Sequence, residues 1–436
     1  MRIALLTPGA GGSFYCENCV RDLDLVRAQR ALGHDAFMVP LYLPVPSVTA
    51  SERAGSRVFF GGVNVYLQQR WVLFRRTPRW VDRLFDARWL LEWAARRAGT
   101  TRAVDLGATT ISMLRGEHGR QAKELARLVD WLGSVERPDI VFLSNALLIG
   151  AAHRLRETLR LPVACGLQGE HVFLDELREA DRGLAWRTLR EHAGEVDLFV
   201  AASRFYRDFM IERLGLAPER VRVVPNGVAL DDDDGRARSR EPVIGYLSRM
   251  CRGGGLDILA EALILMERGG KVRNFRLRAA GGKTADDDDF VAAVRARLDA
   301  NGLGGRFEIL PNLSGESKRA FLRSLSVLSV PSTFGEAFGL FVLEALATGV
   351  PVVQPRSGAF SELIEATGGG LLCAPADPAS LAQCLEKLLL DPALAQELGE
   401  RGRQNVRAHF AVEKTAQALI DVFAETVARS KAPSML

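Results

Sequence analysis

Two glutamates stand eight residues apart in the run from Pro331 to Pro351, at Glu336 and Glu344. Glu336 lies in a glycine-flanked turn, and Glu344 lies inside the apolar helix that the pattern predicts over 339–348. A carboxylate on a largely apolar helix is costly to bury unless a partner donates hydrogen bonds to it. A ligand rich in hydroxyl groups would supply them, so this pair predicts a binding site for such a ligand.

The turn between the two glutamates offers a second kind of contact. Backbone N–H groups at the start of a helix have no partner within the helix, and the helix dipole favours an anion there. In this chain they belong to Ala337, Phe338 and Gly339. Hydroxyl groups and an anion bound at one helix are the features of a nucleotide-sugar.

At these residues the chain resembles the retaining family 4 glycosyltransferases of the GT-B fold. Their signature is a Glu, seven residues and a second Glu around a Gly-Glu-x-Phe-Gly core, which Gly335 to Glu344 fit. The resemblance covers nearly the whole chain and is more specific in the second half. It implies that Glu336 contacts the donor sugar hydroxyls and that Glu344 contacts the ribose hydroxyls. It also implies that the N–H groups of 337–339 hold the diphosphate and the sugar.

A predicted strand ends at Arg249, whose forked guanidinium suits phosphate oxygens. The resembled family has an arginine there and a lysine five residues on, where this chain has Gly254. Three explanations stay open. Arg252 substitutes for the lysine, the glycines at 253–255 bring backbone N–H groups to the phosphate, or the protein is a weak catalyst.

Two further candidates lie in the first half of the chain. Gly11 and Gly12 follow the first predicted strand, and glycines let a backbone approach a ligand closely. The resemblance implies that their loop faces the diphosphate and the acceptor, and a plain turn is the alternative. Gln168 takes the place of a family histidine near the donor sugar, and the nearby Glu170 shares its candidate role.

In the second half, Asn312 follows a predicted strand at the point where the family binds the nucleotide base largely through backbone. The predicted catalytic residues are Arg249, Glu336 and Gln168. The predicted donor-binding residues are Gly11, Gly12, Arg249, Arg252, Asn312, Glu336, Ala337, Phe338, Gly339 and Glu344.

The composition describes a soluble globular protein of two domains, with 436 residues, of which 47% are hydrophobic and 25% charged. A net charge of +4 is too weak to indicate nucleic acid as a partner. The six cysteines do not suggest a disulfide framework and favour a reducing cytoplasm. A redox or zinc role for Cys16 and Cys19 is the less favoured interpretation of that pair, so no metal is predicted. No cofactor is predicted apart from the nucleotide-sugar as co-substrate.

Short apolar runs alternate with helical patterns, which predicts an α/β fold with parallel sheets. With the resemblance, this indicates two Rossmann-like, doubly wound domains that face each other across a cleft. We expect an N-terminal, acceptor-side domain over 1–228, completed by a C-terminal helix over 412–430, and a nucleotide-sugar domain over 240–410. The predicted strands are 2–7, 35–39, 139–143, 161–165, 197–201, 221–224, 243–247, 275–280, 306–310, 326–330, 351–354 and 370–373.

A basic aromatic insertion is expected at about 70–115, and its residues 70–97 carry eight arginines and four of the six tryptophans. Arginine with tryptophan suits anionic lipid head groups, a phosphate-bearing acceptor or stacking on sugar rings. A helical subdomain with core tryptophans is the favoured interpretation. The alternatives are a peripheral contact with the inner face of the membrane and contacts with the acceptor. No apolar run is long enough to span a bilayer.

The leading interpretation is a retaining, metal-independent transfer of a hexose from a nucleotide-diphosphate sugar to an acceptor that the residues do not identify. A nucleotide-sugar-binding scaffold with little or no turnover is the alternative, because of Gly254 and Gln168. An NAD-dependent oxidoreductase is disfavoured, since the loop after the first strand lacks the full Gly-x-Gly-x-x-Gly spacing.

Overall fold

The computed structural model describes residues 1–8, 17–42, 106–230 and 241–431, in two compact units. One unit consists of Met1–Pro225 and Val412–Leu436, and the other of Asn226–Ala411. Within the described residues, all twelve predicted strands are present, in two parallel six-stranded sheets. The predicted α/β class is therefore confirmed.

The first sheet has the order β2-β1-β3-β4-β5-β6. Residues Ile3 to Leu6 of β1 are fully buried, as expected for a parallel strand covered by helices on both faces. The strands are β1 Arg2–Thr7, β2 Asp35–Pro40, β3 Ile140–Leu143, β4 Val163–Leu167, β5 Leu198–Ala201 and β6 Val221–Val223. The helices are α1 Glu17–Ala31, α2 Gly107–Leu114, α3 Ala122–Trp131, α4 Ala152–Leu159, α5 Glu170–Asp175, α6 Glu179–His192 and α7 Arg204–Leu214.

The second sheet has the order β12-β11-β10-β7-β8-β9, so the direction of winding reverses between β7 and β10. Its strands are β7 Val243–Leu247, β8 Arg276–Gly281, β9 Phe307–Pro311, β10 Val327–Leu328, β11 Val352–Pro355 and β12 Gly370–Cys373. The helices are α8 Leu256–Gly269, α9 Asp288–Asp299, α10 Gly315–Arg323, α11 Leu340–Ala347, α12 Phe360–Thr367, α13 Pro378–Leu390 and α14 Pro392–His409.

Strand β10 is shorter than the predicted 326–330 because its backbone leaves the ladder early. The N–H of Val330 donates to the side-chain oxygen of Gln354 at 3.1 Å and not to a neighbouring strand. Helix α14 was not among the predicted helices, although its start carries a clear signal. Asp391 accepts a hydrogen bond from the N–H of Leu394, and Pro392 occupies the first helical position.

The last helix, α15 (Val412–Lys431), belongs to the first unit. Its Phe423 is fully buried, and its ring centroid lies 5.2 Å from that of Phe142 on β3. Val26 of α1 joins the same apolar cluster. The side chains of α15 therefore complete the core of a unit that starts with β1.

The predicted insertion is described only at its carboxyl end, where α2 is helical. The arginines and tryptophans of 70–97, the glycines Gly11 and Gly12, and Cys16 lie outside the described residues. Cys19 is buried on α1.

Candidate functional site

Arg249 follows the carboxyl end of β7, where the winding of the second sheet reverses. Ligands of doubly wound sheets bind at such a switch point. The Nη2 atom of Arg249 lies 3.5 Å from Oδ1 of Asp287. Asp287 is buried and also accepts hydrogen bonds from the backbone N–H and the hydroxyl of Thr284, at 2.9 and 2.8 Å. These bonds fix the Asp287 carboxylate, which in turn holds one side of the guanidinium.

The glycines after Arg249 form a turn that has no room for a side chain. A Cβ on Gly254 would overlap the Tyr246 hydroxyl and lie 2.6 Å from the carbonyl oxygen of Arg249. That hydroxyl donates to the Arg249 carbonyl at 2.8 Å, and burial of the ring raises the pKa of Tyr246 well above its usual value. Tyr246 therefore occupies the space that the side chain of a lysine at 254 would have to enter.

One of the three explanations, phosphate contacts from the N–H groups of 253–255, does not apply to Gly254 itself. The N–H of Gly254 donates to the carbonyl of Cys251 at 3.0 Å, so it is committed to the turn and not offered to a phosphate. The carbonyl of Gly253 accepts from the N–H of Thr333 at 2.9 Å, which ties the turn to the segment before Glu336. Arg252 is exposed at the start of the turn.

The turn that carries Glu336 is held by the loop after β11. The Glu336 carbonyl accepts from the N–H of Ala359 at 2.9 Å, and Gly358 packs so closely that a Cβ there would lie 2.5 Å from the Glu336 nitrogen. Gly339, with φ of +86°, provides no side-chain cap for α11. Its left-handed conformation suits glycine and turns the chain sharply into the helix. The backbone of the predicted anion-binding turn is therefore fixed by residues of the same unit.

Glu344 on α11 forms a close ion pair that the sequence analysis missed. The ammonium nitrogen of Lys318, on α10, lies 2.5 Å from both Oε1 and Oε2 of Glu344. The Lys318 side chain is only 9% exposed, and that of Glu344 is 20% exposed. Lys318 precedes the buried Phe321 and Leu322 by three and four residues, which places it on their face of the helix. The signal in the sequence that could have revealed this ion pair is a lysine on an apolar helix face.

The carboxylate of Glu170 is bound by groups of the protein itself, which argues against the direct active-site role that the sequence suggested. Its carboxylate is buried and accepts from the N–H of Ala146 at 2.8 Å, the N–H of Gln168 at 3.0 Å and the Tyr206 hydroxyl at 2.9 Å. These donors satisfy a buried charge. Glu170 therefore fixes the backbone of Gln168 after β4 and has little capacity left for a ligand. The Gln168 side chain is half-buried.

Arg249 and Glu336 follow the neighbouring strands β7 and β10 of the second sheet, Glu344 lies on the helix after β10, and Gln168 lies in the first unit. Asn312 follows β9 on the same sheet, exposed and with φ of +57°, and its N–H donates to the carbonyl of Gly281 at 2.8 Å. Among the described residues, no cluster of histidine, cysteine or carboxylate side chains could hold a metal ion. No helix in this part of the chain is long and apolar enough to cross a membrane.

Two family profiles match the chain. "Glycosyltransferase Family 4" covers residues 96–232, and "Glycosyl transferases group 1" covers residues 230–405. Together they extend over well more than half of the 436 residues. The chain belongs to glycosyltransferase family 4.

Relatives of this family 4 protein differ in the reactions that their names describe. D-inositol 3-phosphate glycosyltransferase of Acidothermus cellulolyticus is 30% identical over 56% of this chain and 57% of its own length. MMP alpha-(1->4)-mannosyltransferase of Mycolicibacterium hassiacum is 28% identical over 52% and 53%. The chain thus spans about half the length of the curated relatives that it matches.

Solved structures place this family 4 chain in the GT-B fold. Sucrose-phosphate synthase of Thermosynechococcus elongatus aligns over 98% of this chain and 99% of its own, with a TM-score of 0.71 and 18% identity. Anabaena HepE in complex with UDP-glucose aligns over 98% and 100%, with a TM-score of 0.67 and 15% identity. The fold predicted from the sequence is confirmed.

Proposed function

We propose that this protein transfers a hexose from a nucleoside-diphosphate sugar to an acceptor, with retention of the anomeric configuration. One observation supports this proposal above all. Arg249, the start of α11 and Glu344 lie on neighbouring elements of the second unit. A cation and the N–H groups at the start of a helix suit a diphosphate, and a carboxylate suits sugar hydroxyls. Since HepE is solved with UDP-glucose, a UDP-hexose is the first donor to test.

The proposed reaction places negative charge on the departing diphosphate. The bond from the anomeric carbon to the phosphate oxygen breaks, and the acceptor oxygen forms the new bond on the same face. The acceptor proton passes to the phosphate oxygen that leaves. Arg249 and the first N–H groups of α11 would stabilise this charge as it develops, and Glu336 would orient the sugar through its hydroxyls.

A scaffold that binds the donor without turnover is the second candidate, favoured by Gly254 in place of the family lysine. Turnover separates the two. Release of nucleoside diphosphate that depends on an added acceptor supports the transferase. Tight donor binding with no release, against inositol phosphates and simple sugars as acceptors, supports the scaffold.

Nucleotide binding is tested by thermal unfolding with UDP, GDP, ADP and dTDP. A ligand at 100 times its Kd stabilises a protein by about 2.7 kcal/mol, so we expect one nucleotide to raise Tm by several degrees. Glu344→Ala removes charged hydrogen bonds to the ribose and should weaken binding by about 2 kcal/mol, roughly thirtyfold in Kd. Glu397→Ala, at an exposed carboxylate in the same unit, is the matched control. Equal shifts in both variants would exclude Glu344 from the nucleotide site.

Asp287→Asn should lower kcat about three- to tenfold with little change in KM, because the neutral amide holds the Arg249 guanidinium less firmly. The effect is modest because the Arg249 side chain is 42% exposed to solvent. The amide oxygen can still accept from Thr284, so the capping box of the short turn before α9 should survive. Asp289→Asn, on the exposed side of the same turn, should leave kcat unchanged. A comparable loss in both variants would point to general loosening of this loop.

A further inference from the structure

Lys318 is a charged residue in a buried position, and burying its ammonium group costs free energy. Removing an ammonium group from water is unfavourable unless an opposite charge and hydrogen bonds compensate. The compensation here is the carboxylate of Glu344, with both oxygens 2.5 Å from the ammonium nitrogen. The two residues lie 26 positions apart on different helices, so α10 and α11 must dock for the pair to form.

The geometry of the pair restricts the carboxylate. A nitrogen equidistant from both oxygens lies near the bisector of the O–C–O angle, which fixes the plane and the direction of the group. A carboxylate has about four lone-pair positions, and the hydrogen bond from the ammonium uses one of them, on Oε1. The positions on the outer sides of the oxygens are the ones that suit two neighbouring hydroxyl groups. The Lys318 side chain is less exposed than that of Glu344, and the Oε2 atom of Glu344 is itself buried.

We propose that Lys318 is a positioning residue of the donor site, which keeps Glu344 oriented to accept hydrogen bonds from the vicinal hydroxyls of the donor ribose. This inference rests on the proposed function. Lys318 itself need not touch the nucleotide, because it acts through Glu344.

A purely structural role makes a different prediction. If Lys318 only ties α10 to α11, its loss would lower stability and weaken every nucleotide by the same factor. If it orients Glu344 toward the ribose, its loss would selectively remove the preference for a ribonucleotide over its 2′-deoxy analogue. The ratio of the two dissociation constants therefore separates positioning from packing.

The experiment measures Kd by calorimetry for UDP and 2′-deoxy-UDP, with GDP and 2′-deoxy-GDP as the second pair. The proteins are the full chain, Lys318→Met, which keeps the length of the aliphatic stem, and Lys318→Arg. We expect the wild-type protein to prefer the ribonucleotide about tenfold, which corresponds to the loss of one hydrogen bond to a charged group. In Lys318→Met the preference should fall to twofold or less, with less than a threefold change for the deoxynucleotide. Lys318→Arg should lie between the two.

Each other outcome overturns the proposal in a recognisable way. An undiminished tenfold preference in Lys318→Met leaves nucleotide binding intact and makes Lys318 a packing residue. Wild-type protein that binds no diphosphate of either pair removes the proposed function together with the inference. If Lys318→Met fails to fold by circular dichroism, Lys318→Arg decides, because it retains the charge but displaces the carboxylate. A wild-type preference in Lys318→Arg then contradicts positioning.

Discussion

Arg249→Met is expected to lower kcat by roughly 10²–10³-fold, the usual effect of removing one preorganised charge at a centre where negative charge develops. In the proposed reaction that charge is the leaving diphosphate, and Asp287 holds the guanidinium on its other side. Because the Arg249 side chain is partly exposed, the free energy of unfolding should change by less than about 0.5 kcal/mol. Steady-state kinetics and urea unfolding on the same preparation check both parts.

The matched control is Arg297→Met, at an exposed arginine on α9 of the same unit that pairs with Glu261. It should leave kcat within a factor of two. Arg249→Lys keeps the charge and loses the forked geometry, so it should recover only part of the rate. A kcat within threefold of wild type in Arg249→Met would remove Arg249 from the proposed mechanism.

Gly254→Lys, which restores the residue of the family pattern, is expected to destabilise the protein and not to improve it. A side chain at 254 meets the buried Tyr246 hydroxyl and the Arg249 carbonyl, and such overpacking costs about 1–3 kcal/mol. The displaced Arg249 backbone should also lower kcat. Urea unfolding and steady-state kinetics measure the two effects.

Gly305→Lys is the control, because a Cβ at that glycine has no atom within 4 Å. It should unfold within about 0.5 kcal/mol of wild type. A Gly254→Lys protein that is as stable as wild type and faster would mean that the turn adapts, and that Gly254 simply marks a lost cation. The expected result means that the buried Tyr246 makes a glycine necessary at position 254.

The strands of both sheets could be predicted because buried parallel strands are continuous apolar runs, as Ile3 to Leu6 illustrate. The Glu336 and Glu344 candidates were visible for a related reason, since their spacing is local and their neighbours are apolar. The failures are pairings across the fold. Arg249 meets Asp287 over 38 positions, and Lys318 meets Glu344 over 26.

Such pairs leave only a faint trace in one sequence. A lysine on an apolar helix face and a glycine in place of a lysine are each anomalies without an evident partner. The partner is known only when sheet order brings its loop to the same edge, as β8 brings Asp287 to Arg249. Glu170 shows the converse. The sequence suggested that its carboxylate could contact a ligand, but in the structure three donors of the protein already bind it.

The position of α15 at the end of the first unit's sequence affects the order in which the two units can be completed during synthesis. The unit formed by Asn226–Ala411 is continuous in sequence, so all of its strands have left the ribosome before α15 is complete. The unit that begins with β1 is translated first, yet it lacks Phe423 and the rest of its last apolar helix until the end. The apolar surface that α15 covers in the first unit therefore stays exposed until the residues of the second unit have been synthesised.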